Sequence, residues 1–146
     1  MKKTVVLGAG RMGRAMSYAM EKLGHRVYVY DKDRYALDLA RKHAPSITIV
    51  PCEDEKWIQK QGCEIVASSD VVISCLPYHQ TEEMAKKCIK SNVRYCDLGG
   101  RVDVSKSIND FSEEYNRSHA KPVFTDLGLA PGLVNILAEW GYNKLG

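Results

Sequence analysis

The sequence lacks any paired arrangement of cysteines. Its five, at 52, 63, 75, 88 and 96, form no CxxC and have no neighbouring histidine pair, which excludes a zinc ribbon or a disulfide-stapled scaffold and leaves no metal site to expect. An odd number of thiols fits free cysteines in a reducing compartment, so a cytoplasmic protein is expected. An excess of one charge is missing too. Lys and Arg number 21 against 18 Asp and Glu, a net of +3, and the basic residues are scattered, so no nucleic-acid partner is expected. No apolar run approaches the roughly 20 residues that cross a bilayer, and no membrane partner is expected. Met1-Lys2-Lys3 followed by Thr4-Val5-Val6-Leu7-Gly8 faintly imitates a signal peptide, but the run is short and broken by Gly8 and Gly10. It reads as a strand. Repeats, low-complexity tracts and flexible linkers are absent as well.

What is there is ordinary globular usage, 45% apolar and 27% charged in 146 residues, which predicts one domain with one complete core. Six short apolar runs alternate with stretches of helical period. The runs are Thr4 to Leu7, Val27 to Tyr30, Ile47 to Val50, Val71 to Leu76, Tyr95 to Leu98 and Val123 to Thr125. Strands so uniformly apolar belong where helices bury both faces of a parallel sheet, and the α/β class follows: a doubly wound sheet of six strands in the order 3-2-1-4-5-6.

The first helix shows an apolar stripe at Met12, Ala15, Met16, Ala19, Met20 and Leu23, capped by Gly24. The second starts from Asp33 as N-cap and stops before Pro45. A third spans about Asp54 to Gly62, its apolar face little more than Trp57 and Ile58. The fourth, Thr81 to about Lys90, sets Glu82 and Glu83 at its positive end. Val104, Ile108, Phe111 and Tyr115 mark the fifth, and the last begins at Pro131 and buries Leu133, Ile136, Leu137 and Trp140.

Between the first strand and helix stands Gly8-Ala9-Gly10-Arg11-Met12-Gly13, a GxGxxG. Alone that pattern is weak, but here a strand precedes it, a periodic helix follows it and the second strand ends in an acid, within a 29-residue unit from Lys3 to Asp31. Gly8 makes the tight turn, Gly10 lets backbone approach a pyrophosphate, and Gly13 lets helix and strand pack closely. The phosphates would meet the N–H groups around Arg11 and Met12 at the positive end of the helix. Asp31, 18 residues past Gly13, suits the ribose hydroxyls and repels a 2′-phosphate, so NAD is favoured. Lys32 and Arg34 just beyond keep NADP possible.

The carboxyl edge of the fourth and fifth strands is where open α/β sheets bind ligands. Leu76 and Pro77 end a strand there and are placed to flank a nicotinamide, with Tyr78 and His79 facing the crevice. Cys75, with no cation beside it, reads as packing rather than nucleophile. In Cys96-Asp97-Leu98-Gly99-Gly100-Arg101 the glycines allow close passage of backbone, and Arg101 is either a carboxylate clamp or an exposed loop residue. Asp126 is either a turn carboxylate or a substrate contact.

Together these segments, and above all Asp126-Leu127-Gly128-Leu129-Ala130-Pro131-Gly132-Leu133-Val134-Asn135, resemble the saccharopine dehydrogenase family on its saccharopine reductase and lysine 6-dehydrogenase side. The resemblance covers essentially the whole chain. It implies an oxidoreductase passing hydride between a nitrogen-bearing carbon of an amino acid and the nicotinamide. It also implies a Rossmann domain over 1–130, with 131–146 opening the connection to a catalytic domain outside this chain. Catalytic residues and any homodimer contact would lie in that second domain, and Tyr78, Arg101 and Asp126 are candidates for the wall facing the substrate. Saccharopine reductases commonly carry an acid before the Pro-Gly. Ala130 stands there instead, which points to a smaller substrate such as lysine. The competing class is a stand-alone NAD-sensing module of a potassium-transport system, which the Leu76-Pro77-Tyr78 and Ala130-Pro131-Gly132 segments do not fit.

Overall fold

The computed structural model describes residues 1–53, 57–115 and 120–145, and for 57–61 the backbone alone. Strands β1 (Lys3–Leu7), β2 (Arg26–Asp31), β3 (Thr48–Pro51), β4 (Val71–Ser74), β5 (Arg94–Asp97) and β6 (Val123–Phe124) make one sheet in the order β3-β2-β1-β4-β5-β6. Every pairing is parallel. Because successive side chains on a strand point to opposite faces, β1 serves two cores at once. Val5 and Leu7 join Val72, Tyr95, Met84 and Ile108 on one face, while Val6 joins Val27, Val29, Leu37 and Ile73 on the other.

Helices α1 (Arg11–Lys22) and α2 (Arg34–His43) cover the second face, and α3 (Trp57–Ala67), α4 (Tyr78–Lys90) and α5 (Val102–Glu114) cover the first. Asp33 caps α2 as expected, its Oδ1 accepting from Tyr35 N at 2.9 Å and Ala36 N at 3.2 Å. The strand order turns back between β1 and β4, and that switch point opens a crevice at the carboxyl edge.

Several local expectations are corrected. The buried line of α1 is Gly13 and Ser17, with Met16 and Met20 partly buried beside it, while Met12, Ala15 and Leu23 are exposed. Gly13 brings the helix backbone itself against the strand, which turns the inner face away from the most apolar stripe. Helix α3 runs on to Ala67 and buries Ile65 and Val66. The expected start at Asp54 and the side chains of Trp57 and Ile58 lie outside the described residues. Helix α4 begins three residues early, at Tyr78 behind Pro77. Glu82 and Glu83 are therefore not in its first turn; they pair instead with Lys86 at 2.6 Å and Lys87 at 3.2 Å, one turn on.

Helix α6 (Leu133–Leu145) departs furthest. It starts after the Ala130-Pro131-Gly132 turn rather than at Pro131, and none of its residues is buried: Leu133 is 47%, Ile136 67%, Leu137 54% and Trp140 62% exposed. Periodicity reports that a face is apolar. It does not report what covers that face.

Candidate functional site

At the switch point the glycine loop is gripped by its neighbours. Gly8 N donates to Tyr30 O at 2.8 Å, and Gly8 has φ +93°, with any Cβ there lying 2.9 Å from Cys75 O. A Cβ at Gly13 would overlap the carbonyl oxygen of Gly8, so close packing of helix on strand requires that glycine. Gly10 differs: nothing of the protein lies within 4 Å of where its Cβ would be. No protein atom requires a glycine there, and a ligand laid against the backbone would have room to approach. No side chain caps the start of α1, whose N-cap is Gly10, so its first N–H groups remain for an anion.

Asp31 closes β2 beside this loop. Its Oδ2 accepts from Ala9 N at 2.5 Å and its Oδ1 from Asp33 N at 2.8 Å. Gly8, Gly10, Asp31 and Lys32 form one wall of a cleft of about 280 Å³, and Leu76, Pro77, His79 and Gln80 the other. The structure thus gathers six of the nine expected cofactor residues in one cleft. Gly13 lies buried beneath the loop, and Arg11 and Met12 stand exposed at its rim. Cys75 also lines the cleft, but burial pushes its thiol up to about 12, which leaves it protonated and suits the packing role.

The substrate-side candidates form a second group. The Arg101 guanidinium sits 5.3 Å from the Tyr78 ring. It already clamps a carboxylate, that of Asp103, through Nε at 2.9 Å and through Nη2. Asp126, with φ +62°, accepts from Ser105 Oγ at 2.7 Å. Gly99 and Gly100 are the seam between the two: a side chain at 99 would meet the Asp126 carboxylate and one at 100 the Tyr78 Cβ.

Sequence reasoning missed three residues. Ala9 and Gln80 contribute through position, which no side-chain pattern discloses. Asp97 left a signal, an acid closing an apolar strand at the ligand edge. It is 2% exposed. Its Oδ1 accepts from Gly99 N at 2.8 Å and Asp126 N at 3.2 Å, and its carbonyl accepts from Leu127 N at 2.9 Å. One residue therefore holds both loops at this edge of the sheet. Its Oδ2, like the Ser74 Oγ on the neighbouring strand, is buried and makes no well-aligned hydrogen bond among the described residues, the Tyr95 side chain being the polar group that reaches both residues.

Burial raises the Asp97 carboxyl above the usual range, its amide bonds only partly opposing this. A folded-state value above the unfolded one means that the native state binds more protons between the two. The contribution of Asp97 to stability is then greatest below the unfolded value and declines as pH rises through the folded one. Asp97→Asn should therefore cost more stability at pH 4 than at pH 7, measured by urea unfolding of both proteins at each pH. A cost independent of pH would contradict this.

Among the described residues no group of three or more His, Cys, Asp or Glu suits a metal ion, and no helix is long and apolar enough to cross a membrane.

The family described as saccharopine dehydrogenase NADP binding domain matches residues 4–124. The chain belongs to that family. As a member it is a dinucleotide-binding domain, with a nicotinamide dinucleotide as cofactor. The fold is similar to that of the L-Glu-forming saccharopine dehydrogenase of Saccharomyces cerevisiae, with a TM-score of 0.74 at 17% identity over 99% of this chain and 31% of that one. A glycerol-3-phosphate dehydrogenase [NAD(P)+] of Thermoanaerobacter sp. (strain X514) is 29% identical over 87 residues, 58% of this chain and 26% of that protein. This family member thus spans about a third or less of either enzyme. The TrkA-N domain of the Escherichia coli inner membrane protein ybaL shares the fold at TM-score 0.68 and 12% identity, covering 95% of this chain and 96% of that one.

Proposed function

We propose that this chain is the cofactor half of an NAD-dependent oxidoreductase acting on a carbon–nitrogen bond of a small amino acid. The observation that carries the reading is the contrast, within one glycine loop, between Gly13, which the protein's own backbone demands, and Gly10, which no protein atom demands and where a pyrophosphate would approach. The glycine loop and the start of α1 hold the pyrophosphate, Asp31 the adenosine ribose, and Leu76 and Pro77 the nicotinamide end. The bound dinucleotide supplies the hydride acceptor.

Tyr78, Arg101 and Asp126 contribute one wall to the substrate, and Arg101 takes the substrate carboxylate by exchanging it for Asp103. Ala130, in place of the acid common in saccharopine reductases, supports a substrate of lysine size. The general base comes from a second domain, and α6 supports that division. Its apolar face, Leu133, Ile136, Leu137 and Trp140, lies exposed, and a helix of 13 residues by itself is marginal in water. Five free thiols support a reducing, cytoplasmic setting. The likeness to the TrkA-N domain, which is one of fold, keeps a nucleotide-sensing module as the second reading.

The family's description names NADP, whereas the Asp31 carboxylate stands where a 2′-phosphate would meet its charge. The intact gene product tests all of this in one experiment. It is expected to oxidise lysine with NAD and to bind NAD more tightly than NADP. Tighter NADP binding sinks the cofactor preference, turnover of saccharopine alone sinks the substrate, and nucleotide binding without turnover of any amino acid favours the sensor.

A further inference from the structure

We infer that Asp31, beyond accepting the ribose hydroxyls, is the positioning residue that holds the glycine loop in its phosphate-receiving shape; this rests on the dinucleotide reading above. The grip is direct. Its Oδ2 receives the Ala9 N–H at 2.5 Å from 22 residues away, a bond assisted by the carboxylate's charge. The carboxylate is itself held, because Oδ1 takes Asp33 N at 2.8 Å and the Asp31 carbonyl takes Cys52 N at 2.8 Å. With Tyr30 O on Gly8 N, the end of β2 holds two successive loop amides.

Ala9 is fully buried, so an N–H released by Asp31 finds no water in place and must seek another acceptor by turning the peptide. The next residue offers no resistance to that turn, since Gly10 has neither a side chain nor protein atoms around its Cβ position. Lone pairs suffice for both tasks: two oxygens carry about four acceptor sites and spend one each on amides, which leaves one each for two ribose hydroxyls.

The two roles separate with a nucleotide that has phosphates but no ribose hydroxyls. ADP and 2′,3′-dideoxy-ADP are titrated by calorimetry into the wild type, Asp31→Ala and Asp31→Asn, each well below its melting midpoint. If Asp31 positions the loop, Asp31→Ala loses affinity for dideoxy-ADP by about 10-fold. Asp31→Asn, which keeps one oxygen for Ala9, loses less. If Asp31 serves the ribose alone, both variants bind dideoxy-ADP as well as the wild type does, or better, since a negative charge near the phosphates is gone. That result overturns the inference and leaves the dinucleotide reading standing. Should Asp31→Ala fail to fold, equal affinity of Asp31→Asn and wild type for dideoxy-ADP overturns it alone. A wild type that binds neither ADP nor NAD overturns both.

Discussion

Gly13→Ala destabilises the domain by at least about 3 kcal/mol, measured by urea unfolding, and leaves little folded protein at 37 °C. The added methyl would occupy the position of the Gly8 carbonyl oxygen. That oxygen cannot step aside, because Gly8 is held by Tyr30 O through its N–H and has the Cys75 carbonyl behind it. The remaining escape is to lift α1 from the sheet, which undoes the packing of Met16, Ser17 and Met20 on the core. A domain with the usual 5–15 kcal/mol of stability loses a large share of it. A Gly13→Ala protein within 1 kcal/mol of wild type would mean that helix and strand do not touch here.

Gly10→Val gives the opposite pattern: a melting point close to wild type and affinity for NAD reduced by about 100-fold or more, a loss of roughly 3 kcal/mol in binding. Gly10 has φ −62° and ψ −169°, which any residue adopts, and its surroundings are empty. The isopropyl group then fills the place where the pyrophosphate must approach. Thermal denaturation with and without NAD checks this. A wild type at a hundred times its dissociation constant gains about 2.7 kcal/mol, and the variant should gain almost nothing. An unchanged gain moves the phosphate site elsewhere.

The strand set, the sheet order and the grouping of residues at the switch-point cleft were legible because each rests on local signals that agree. Apolar runs locate β1 to β6, the spacing from Gly13 to Asp31 locates the acid that ends β2 beside the glycine loop, and Pro77 follows the strand that supplies the far wall. What stayed illegible depends on partners distant in the chain. Arg101 reads equally as a carboxylate clamp or an exposed loop residue, and its pairing with Asp103 is a side-chain contact that neither reading discloses. The inner face of α1 is chosen by a glycine contact that hydrophobicity cannot register, so Ser17 is buried and Leu23 exposed. Only the fold brings Gly99, Asp126 and Leu127 to Asp97. For α6 the pattern was right about polarity and wrong about burial.

Both rims of the sheet are poor templates for another strand. On one side β6 offers two residues, and on the other β3 ends in Pro51, which has no N–H to give. Edge-to-edge stacking, a common route by which an open sheet aggregates, is blunted at each end. The adhesive surface lies on α6 instead, so detergent or a helix-binding partner, rather than a strand-capping peptide, is the additive that keeps this chain dispersed at high concentration.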